Sequence, residues 1–377
     1  MILSEEQSLI RQTARRFADE RLAPFAAQWD KDATFPVDAI AELGALGLLG
    51  VTVSADWGGV GADYTSLAVA LEEIARGDAG VATVMSGHNC VGCMPVYRYG
   101  TEAQKEAFLK PMAGGEVLSS FLLTEPQGGS DASNQKTTAR KSGDTYVLNG
   151  VKQFITSGRS SQIALVFAAT DPDLGSKGVS AFLVPTNADG YVVVREEDKL
   201  GQRSSDTCQI ALENVEIPTG NLLGEEGQGM QIALGNLEGG RIGIAAVAVG
   251  IAQAALEVAV DYARERVVFG KPIYDHQAVQ FRLAEMATRV EAGRQLYLLA
   301  AALYDAGQPC LKEACMAKLM ASENAERVCS DAIQTLGGYG YLTDFPVERL
   351  YRDARVTKIY EGTNDIQKMV IARHLQI

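Results

Sequence analysis

The period of the apolar residues changes twice along this chain, and that pattern restricts the folds open to it. From Ser4 to about Leu118 they recur every three to four residues, with Leu9, Ala14, Phe17 and Leu22 following a Ser4-Glu5-Glu6-Gln7 capping pattern that Pro24 ends or kinks. Further helices are expected over 66–76, 81–99 and 101–109, around an Asp56-Trp57-Gly58-Gly59-Val60-Gly61 loop. From Val117 the pattern becomes period-two and β-branched, over 145–148, 153–156, 163–167, 180–184, 191–194 and 208–212. Asn149-Gly150 predicts a hairpin between the first two of these. With no long helices between the strands, a parallel sheet is excluded, leaving an antiparallel barrel or sandwich. From Gly229 helical stretches return over 230–266, 277–306, 311–335 and 346–356, which predicts a bundle. The expectation is a multidomain α+β protein. Residues 1–117 form an all-α domain, 118–226 an antiparallel β-barrel domain and 227–377 an α-helical bundle.

Composition narrows the function. The net charge of -13 opposes sequence-independent nucleic-acid binding, which depends on cationic neutralisation of phosphates. The first residues, Met1-Ile2-Leu3-Ser4-Glu5-Glu6-Gln7, carry acid where a leader carries Arg and Lys, so a cytoplasmic protein is expected. The apolar run 242–260 is broken by Gln253 and Glu257 and reads as a buried helix, not a membrane span. Six cysteines in a chain of this size make no disulfide framework. Cys90-Val91-Gly92-Cys93 has dithiol spacing, but it sits in a helical stretch without a second ligand pair, so buried inert thiols are expected and no metal site.

Neither G-x-G-x-x-G after a strand nor a P-loop is present. Two segments do carry chemistry. Phe121-Leu122-Leu123-Thr124-Glu125-Pro126-Gln127-Gly128-Gly129-Ser130-Asp131 ends a strand in a Gly-rich loop that offers backbone N–H groups and hydroxyls, or is simply a Pro/Gly turn. Lys358-Ile359-Tyr360-Glu361-Gly362-Thr363-Asn364-Asp365-Ile366-Gln367 places a carboxylate beside a flexible Gly. Taken alone, Glu361 also suits a solvated anion before a final helix capped by Thr363 or Asn364. The I-Y-E-G-T run with I-Q two residues later resembles the catalytic segment of the flavin-dependent acyl-CoA dehydrogenases. The other motifs match that family in order over nearly the whole chain.

The resemblance implies FAD-dependent α,β-dehydrogenation of an acyl-CoA, with Glu361 as the base. Leu123 and Thr124 would lie on the pyrimidine side of the flavin, and Ser130 would face substrate and flavin phosphate. Phe154 and Thr156 of Phe154-Ile155-Thr156-Ser157 would flank the ring, although many members carry Trp where Phe154 stands. In Arg264-Glu265-Arg266-Val267-Val268-Phe269-Gly270, the residues Arg266 and Phe269 match positions that reach FAD held mainly by a neighbouring subunit. Val268 replaces the Thr or Gln of some members. Gln334 and Gly338, within Gln334-Thr335-Leu336-Gly337-Gly338, approach the same cofactor, and Thr363 and Asp365 complete the FAD contacts. Arg241, Tyr360 and Gly362 join Ser130 at the substrate. In isovaleryl-type members the base precedes the Arg of Glu238-Gly239-Gly240-Arg241. Gly240 fills that position here, and Glu238 is turned roughly 200° from it. The helix at 84–94, with Met85, Val91 and Met94, suggests short or branched substrates. The implied assembly is a homotetramer of two dimers that passes electrons to electron transfer flavoprotein. A flavin oxidase on the same fold and a non-enzymatic helical scaffold are the alternatives.

Overall fold

The computed structural model describes residues 2–375. In the N-terminal part, helices α1 (Glu5–Phe17), α2 (Ala26–Asp32), α3 (Val37–Ala45), α4 (Tyr64–Gly77) and α5 (Ala79–Gly87) precede the short α6 (Met94–Tyr99), α7 (Glu102–Gln104) and α8 (Lys110–Ala113). The C-terminal part holds α9 (Gly229–Glu265), α10 (Gln277–Asp305), α11 (Leu311–Leu336), α12 (Val347–Arg355) and α13 (Asn364–Arg373). The capping box expected at Ser4 is formed: Ser4 accepts from the Gln7 N–H, and Gln7 reaches back to the Ser4 N–H. The stretch expected as one helix over 81–99 carries a π-turn at His88–Cys93.

Helix α9 is the axis of the helical core. It is long and apolar enough to cross a membrane, but 78% of its apolar window is buried against the protein's own helices. Small residues allow those neighbours to come close. A Cβ on Gly250 would lie 2.1 Å from the Glu72 carbonyl oxygen of α4, so the two helices approach at a distance only glycine permits.

The middle strands are β1 (Ser119–Leu122), β2 (Thr138–Ser142), β3 (Thr145–Thr156), β4 (Ile163–Ala169), β5 (Val179–Pro185), β6 (Tyr191–Glu196), β7 (Thr207–Pro218) and β8 (Leu222–Leu223). They pair in the order β6-β7-β3-β2-β4-β5-β8, with β1 also against β4. The predicted barrel is not formed, because the sheet is not closed and β6 and β8 stand at its two ends. Nor is the sheet purely antiparallel: β1 runs parallel to β4, and β2 meets β4 in parallel at Thr138 and Ala169. The absence of long helices did not exclude parallel pairing. Residues 123–162, carrying a loop and the β2–β3 hairpin, make the crossover that a helix makes elsewhere.

Asn149-Gly150 does not turn the chain either. Both residues lie within β3, at a register shift opposite β7. Gly150 has φ 156°, and a Cβ there would lie 2.6 Å from the Thr137 Cα. Asn149 exchanges two hydrogen bonds with Asn214, which fixes the bulge. The hairpin turn is Gly143-Asp144, with Gly143 at φ 59°.

Lys152 of β3 points into the interior, where its ammonium lies 2.8 Å from Glu125 Oε1 and both side chains are sealed from water. The Glu125 carboxylate also accepts the N–H groups of Lys136 (2.7 Å) and Thr137 (3.0 Å). Burial pushes Glu125 up, but these partners outweigh it and hold the carboxyl at about 2. Burial pushes Lys152 down to about 8 against the pull of Glu125, so the pair is charged at neutral pH. Glu125 therefore contributes stability above its unfolded value, and loses it as pH falls through about 2. Removing one partner leaves the other charge buried alone. Lys152→Met or Glu125→Gln should each cost about 3–5 kcal/mol, and the double variant less than the sum of the two. Thermal melts of the four proteins check this, and additive losses would mean that the two groups do not act as a pair.

Candidate active site

Glu361 sits in the connection between α12 and α13 with a left-handed backbone, φ 54°, followed by Gly362 at φ 84°. This conformation is unfavourable for a residue with a Cβ and persists only where its surroundings enforce it. The enforcement is visible. Thr363 caps α13 by accepting from the Ile366 N–H at 3.3 Å, as expected for the final helix. Buried Gln367 then reaches back, its Nε2 donating to the carbonyls of Glu361 (3.1 Å) and Gly362 (2.8 Å). Lys318 Nζ, from the middle of α11, donates to the same Gly362 carbonyl at 2.9 Å.

The turn aims the Glu361 side chain at α9. A Cβ built on Gly240 would lie 2.6 Å from Glu361 Oε2 and 3.0 Å from Oε1, so Gly240 leaves the room that the carboxylate fills. Oε2 is buried without a hydrogen-bond partner among the described residues. Burial raises the carboxyl to about 6, against the opposing charges of Arg241 and Lys318. A carboxylate oxygen held out of water without a hydrogen bond, on an otherwise half-buried side chain, is poised to take a proton. Glu238, two residues before Gly240, faces away and accepts from the Cys310 thiol at 3.8 Å. Arg241 is buried beside the base, with its Nε unpaired.

Tyr360 is anchored on the other side. Its hydroxyl lies 3.1 Å from Thr83 Oγ1 of α5 and 3.2 Å from Gln202 Nε2, and burial pushes it up to about 12. Gln202 is itself fixed by Asp353 of α12, so the loop before β7, α5 and α12 converge on the residue beside the base.

Beside the sheet, Leu123 and Thr124 follow the end of β1. The Thr124 carbonyl accepts from the Gln153 N–H at 2.9 Å, and the Leu123 carbonyl takes Lys152 Nζ at 3.3 Å. Ser130 is exposed on the loop beyond them. Phe154 is turned out of β3 at a register shift, with φ 58° and its ring 65% exposed, while Thr156 remains paired with Thr207. An aromatic ring offered to the outside by a strained backbone suits a flat ligand better than a core.

Family models match three successive parts of the chain: acyl-CoA dehydrogenase N-terminal domain over residues 4–116, middle domain over 120–215 and C-terminal domain over 227–376. The human mitochondrial short-chain specific acyl-CoA dehydrogenase is 48% identical over 373 residues, covering 99% of this chain and 90% of that protein. The chain belongs to the acyl-CoA dehydrogenase family. Among solved structures, butyryl-CoA dehydrogenase from Megasphaera elsdenii superposes with a TM-score of 0.98 at 43% identity, each chain covered completely. A chain from a study of the electron transferring flavoprotein of Acidaminococcus fermentans reaches 0.99 at 43% identity, covering 100% of this chain and 99% of that one.

The family's cofactor is FAD, and this chain's residues suit it. The unbonded Glu361 oxygen and the outward-facing Phe154 ring are features a flavin and its substrate would satisfy. A second set lies elsewhere. Arg266 and Gly338 line a groove of about 430 Å³ with Tyr262 and Tyr339, the Arg266 guanidinium standing 5.6 Å from the Tyr339 ring centre. Phe269 is 92% exposed at φ 54°, Gln334 is exposed, and nothing lies within 4 Å of a Cβ built on Gly337 or Gly338. Arg266 follows the last turn of α9, 26 residues beyond Gly240, which is about 39 Å along the helix. Within one chain, the structure thus does not bring this set to Glu361.

Sequence reading missed Lys318 and Gln202. Lys318 left a trace, a lone Lys within the apolar stretch Cys315-Met316-Ala317-Lys318-Leu319-Met320. Gln202 left none, because its role depends on three elements far apart in sequence. The C-x-x-C pair is buried: burial pushes Cys90 up to about 12, and Cys93 lies 3.4 Å from His88 Nε2. His88 is already engaged, its Nδ1 taking the Ser119 N–H (3.1 Å) and its Nε2 facing the Met112 carbonyl (2.9 Å).

Gly240→Ala should keep the fold and displace the Glu361 carboxylate. Flavin reduction by acyl-CoA should then slow by roughly 10- to 100-fold, since small misplacements of a reacting group are expensive in rate. Unchanged stopped-flow bleaching would show that Gly240 does not set the position of Glu361.

Proposed function

We propose that this enzyme converts short, saturated acyl-CoA thioesters to trans-2-enoyl-CoA, with Glu361 removing the α-proton. The observation that carries this is the buried, unbonded Oε2 of the Glu361 carboxylate, held in a left-handed turn opposite Gly240. The α-proton of a thioester is a weak acid, so the carbonyl needs polarising as enolate charge develops. The Glu361 N–H reaches no acceptor among the described residues and is available to that carbonyl. Bound FAD supplies the acceptor for the β-hydrogen, which leaves as hydride. Leu123, Thr124, Phe154, Thr156 and Ser130 are the residues this chain offers to the flavin ring and its phosphate, with Thr363 and Asp365 nearer the base. Arg241, Tyr360 and Gly362 frame the substrate beside Glu361.

Chain length follows from what flanks the base. Cβ atoms on Gly239 and Gly243 would meet Tyr64 of α4 (2.1 Å) and Ser86 of α5 (2.6 Å), with Leu71 and Cys90 next, so α4 and α5 close on α9 beside Glu361. We read this close approach as a wall that favours short acyl chains. Relatives acting on short-chain substrates agree with this reading. Turnover should be highest with butyryl-CoA and fall steeply for octanoyl- and palmitoyl-CoA in an artificial-acceptor assay, and a palmitoyl optimum would contradict it.

The separation of Arg266, Phe269, Gln334 and Gly338 from Glu361 supports a site completed by a second subunit, in a tetramer of two dimers. Electron transfer flavoprotein is the proposed acceptor, in keeping with the flavoprotein study from which one similar chain comes. Arg266→Ala should lower FAD retained through gel filtration, while a monomer at full FAD occupancy would exclude sharing.

The base is tested directly by Glu361→Gln, which keeps shape and FAD but has no basic carboxylate. Anaerobic bleaching by butyryl-CoA should fall by at least about 10²–10⁴-fold. Glu238→Gln, whose side chain faces Cys310, should keep most activity. In the wild type the bleaching rate should rise with pH as Glu361 ionises, through about 6, and level off above it. Near-normal bleaching in Glu361→Gln would move the base elsewhere.

A further inference from the structure

Lys318 is completely buried in α11, and none of the ion pairs within 4 Å among the described residues includes it. Its ammonium instead donates to two neutral oxygens, the Gly362 carbonyl at 2.9 Å and Asn364 Oδ1 at 3.0 Å. Asn364 is itself oriented by its Nδ2, which donates to Ser322 Oγ and Glu323 Oε1, both at 3.0 Å. A buried ammonium with only neutral partners is unfavourable compared with an apolar side chain of similar size. A role in packing alone does not call for lysine here. Both acceptors belong to the segment that begins at the base, and the two successive left-handed residues, Glu361 and Gly362, are the strained point of that segment.

We propose that Lys318 is a positioning residue for the reaction: its ammonium clamps the Glu361–Gly362 turn, and its charge keeps the Glu361 carboxylate ionised and able to accept the α-proton. This rests on Glu361 being the base. The charged groups facing Glu361 are Arg241 from α9 and Lys318 from α11, with Cys90 and Tyr360 beside it as neutral thiol and phenol. Those facing Lys318 are Glu361 and Glu323 as anions, Arg241 as a cation, and Cys315. Burial pushes Lys318 down to about 7 and Glu361 up to about 6, and each group's charge opposes the other's shift. Without the ammonium, desolvation drives Glu361 further up, and a protonated carboxyl cannot act as base.

The test compares wild type, Lys318→Met, Lys318→Gln and Glu361→Gln as FAD-loaded enzymes. Infrared difference titration reads the protonated carboxyl of Glu361 without turnover, using Glu361→Gln to identify the band. Its midpoint should rise by roughly one pH unit in both Lys318 variants. The pH at which anaerobic bleaching by butyryl-CoA reaches half its limit should rise by the same amount. Gln, which keeps a donor for the turn, should retain the limiting rate better than Met, with KM changing less than kcat in both. Unmoved midpoints in folded, FAD-containing variants overturn the proposal, and failure of both variants to fold does so too, by making Lys318 a folding requirement. A loss of the base assignment appears separately, as normal bleaching in Glu361→Gln.

Discussion

The close packing around α9 is the constraint on which the rest of the structure depends. A helix of 37 residues can be buried along so much of its length only if its neighbours come close, and the glycines at 239, 240, 243 and 250 let them. Gly250 admits the backbone of α4, Gly243 admits Ser86 of α5, and Gly239 admits the Tyr64 ring. Gly240 admits no structural neighbour at all: it admits the Glu361 carboxylate. The same packing that makes the core therefore leaves one place on α9 where a carboxylate stands, with Tyr64 and Ser86 set against the glycines on either side of it.

Inside that core the charges divide into two kinds. Glu72 is neutralised by a forked contact from Arg294 and by the Tyr297 hydroxyl, and Glu125 by Lys152 and two backbone N–H groups. These are satisfied groups that fix the geometry of α4 against α10 and of the loop after β1. Glu361 has no such partners among the described residues, only the fields of Arg241 and Lys318 across a gap. Its resting state is less comfortable than that of the structural carboxylates, and this discomfort is what a general base requires.

Much of this was legible in the sequence, and the reasons for what was not are physical. The helices of both end regions and the cap at Thr363 followed from apolar period and local capping chemistry, which are properties of short segments. The I-Y-E-G-T segment marked Glu361. The sheet was read less well. Asn149-Gly150 is locally a good turn, but Thr137, just before β2, crowds one side of it and Asn214 of β7 pairs with the other, and neither contact is legible in the dipeptide itself. Parallel pairing of β1 with β4 is likewise decided by where the chain returns, not by its composition. Lys318 and Gln202 act through contacts that join α11 to the turn after α12, and α5 to the loop before β7, so no short stretch announces them.

The relation between Gly240 and Glu361 has a further consequence. Two backbone positions 121 residues apart in number, one on a helix and one in a left-handed turn, direct their side chains to the same few ångströms of space. The proposed chemistry needs a carboxylate at that place, not at a given point of the chain. A Glu reaching it from α9 leaves the helix backbone unstrained, whereas a Glu reaching it from residue 361 needs a left-handed conformation, a glycine after it, and Gln367 and Lys318 to hold both. In return, the proposed reading has one residue supply both groups: Glu361 carries the unbonded carboxylate oxygen and an N–H that bonds no acceptor among the described residues. An α9 carboxylate would separate those roles, because backbone N–H groups inside a helix are already taken by carbonyls one turn earlier. On the proposed reading, the strained turn is thus the arrangement in which base and carbonyl donor belong to a single residue.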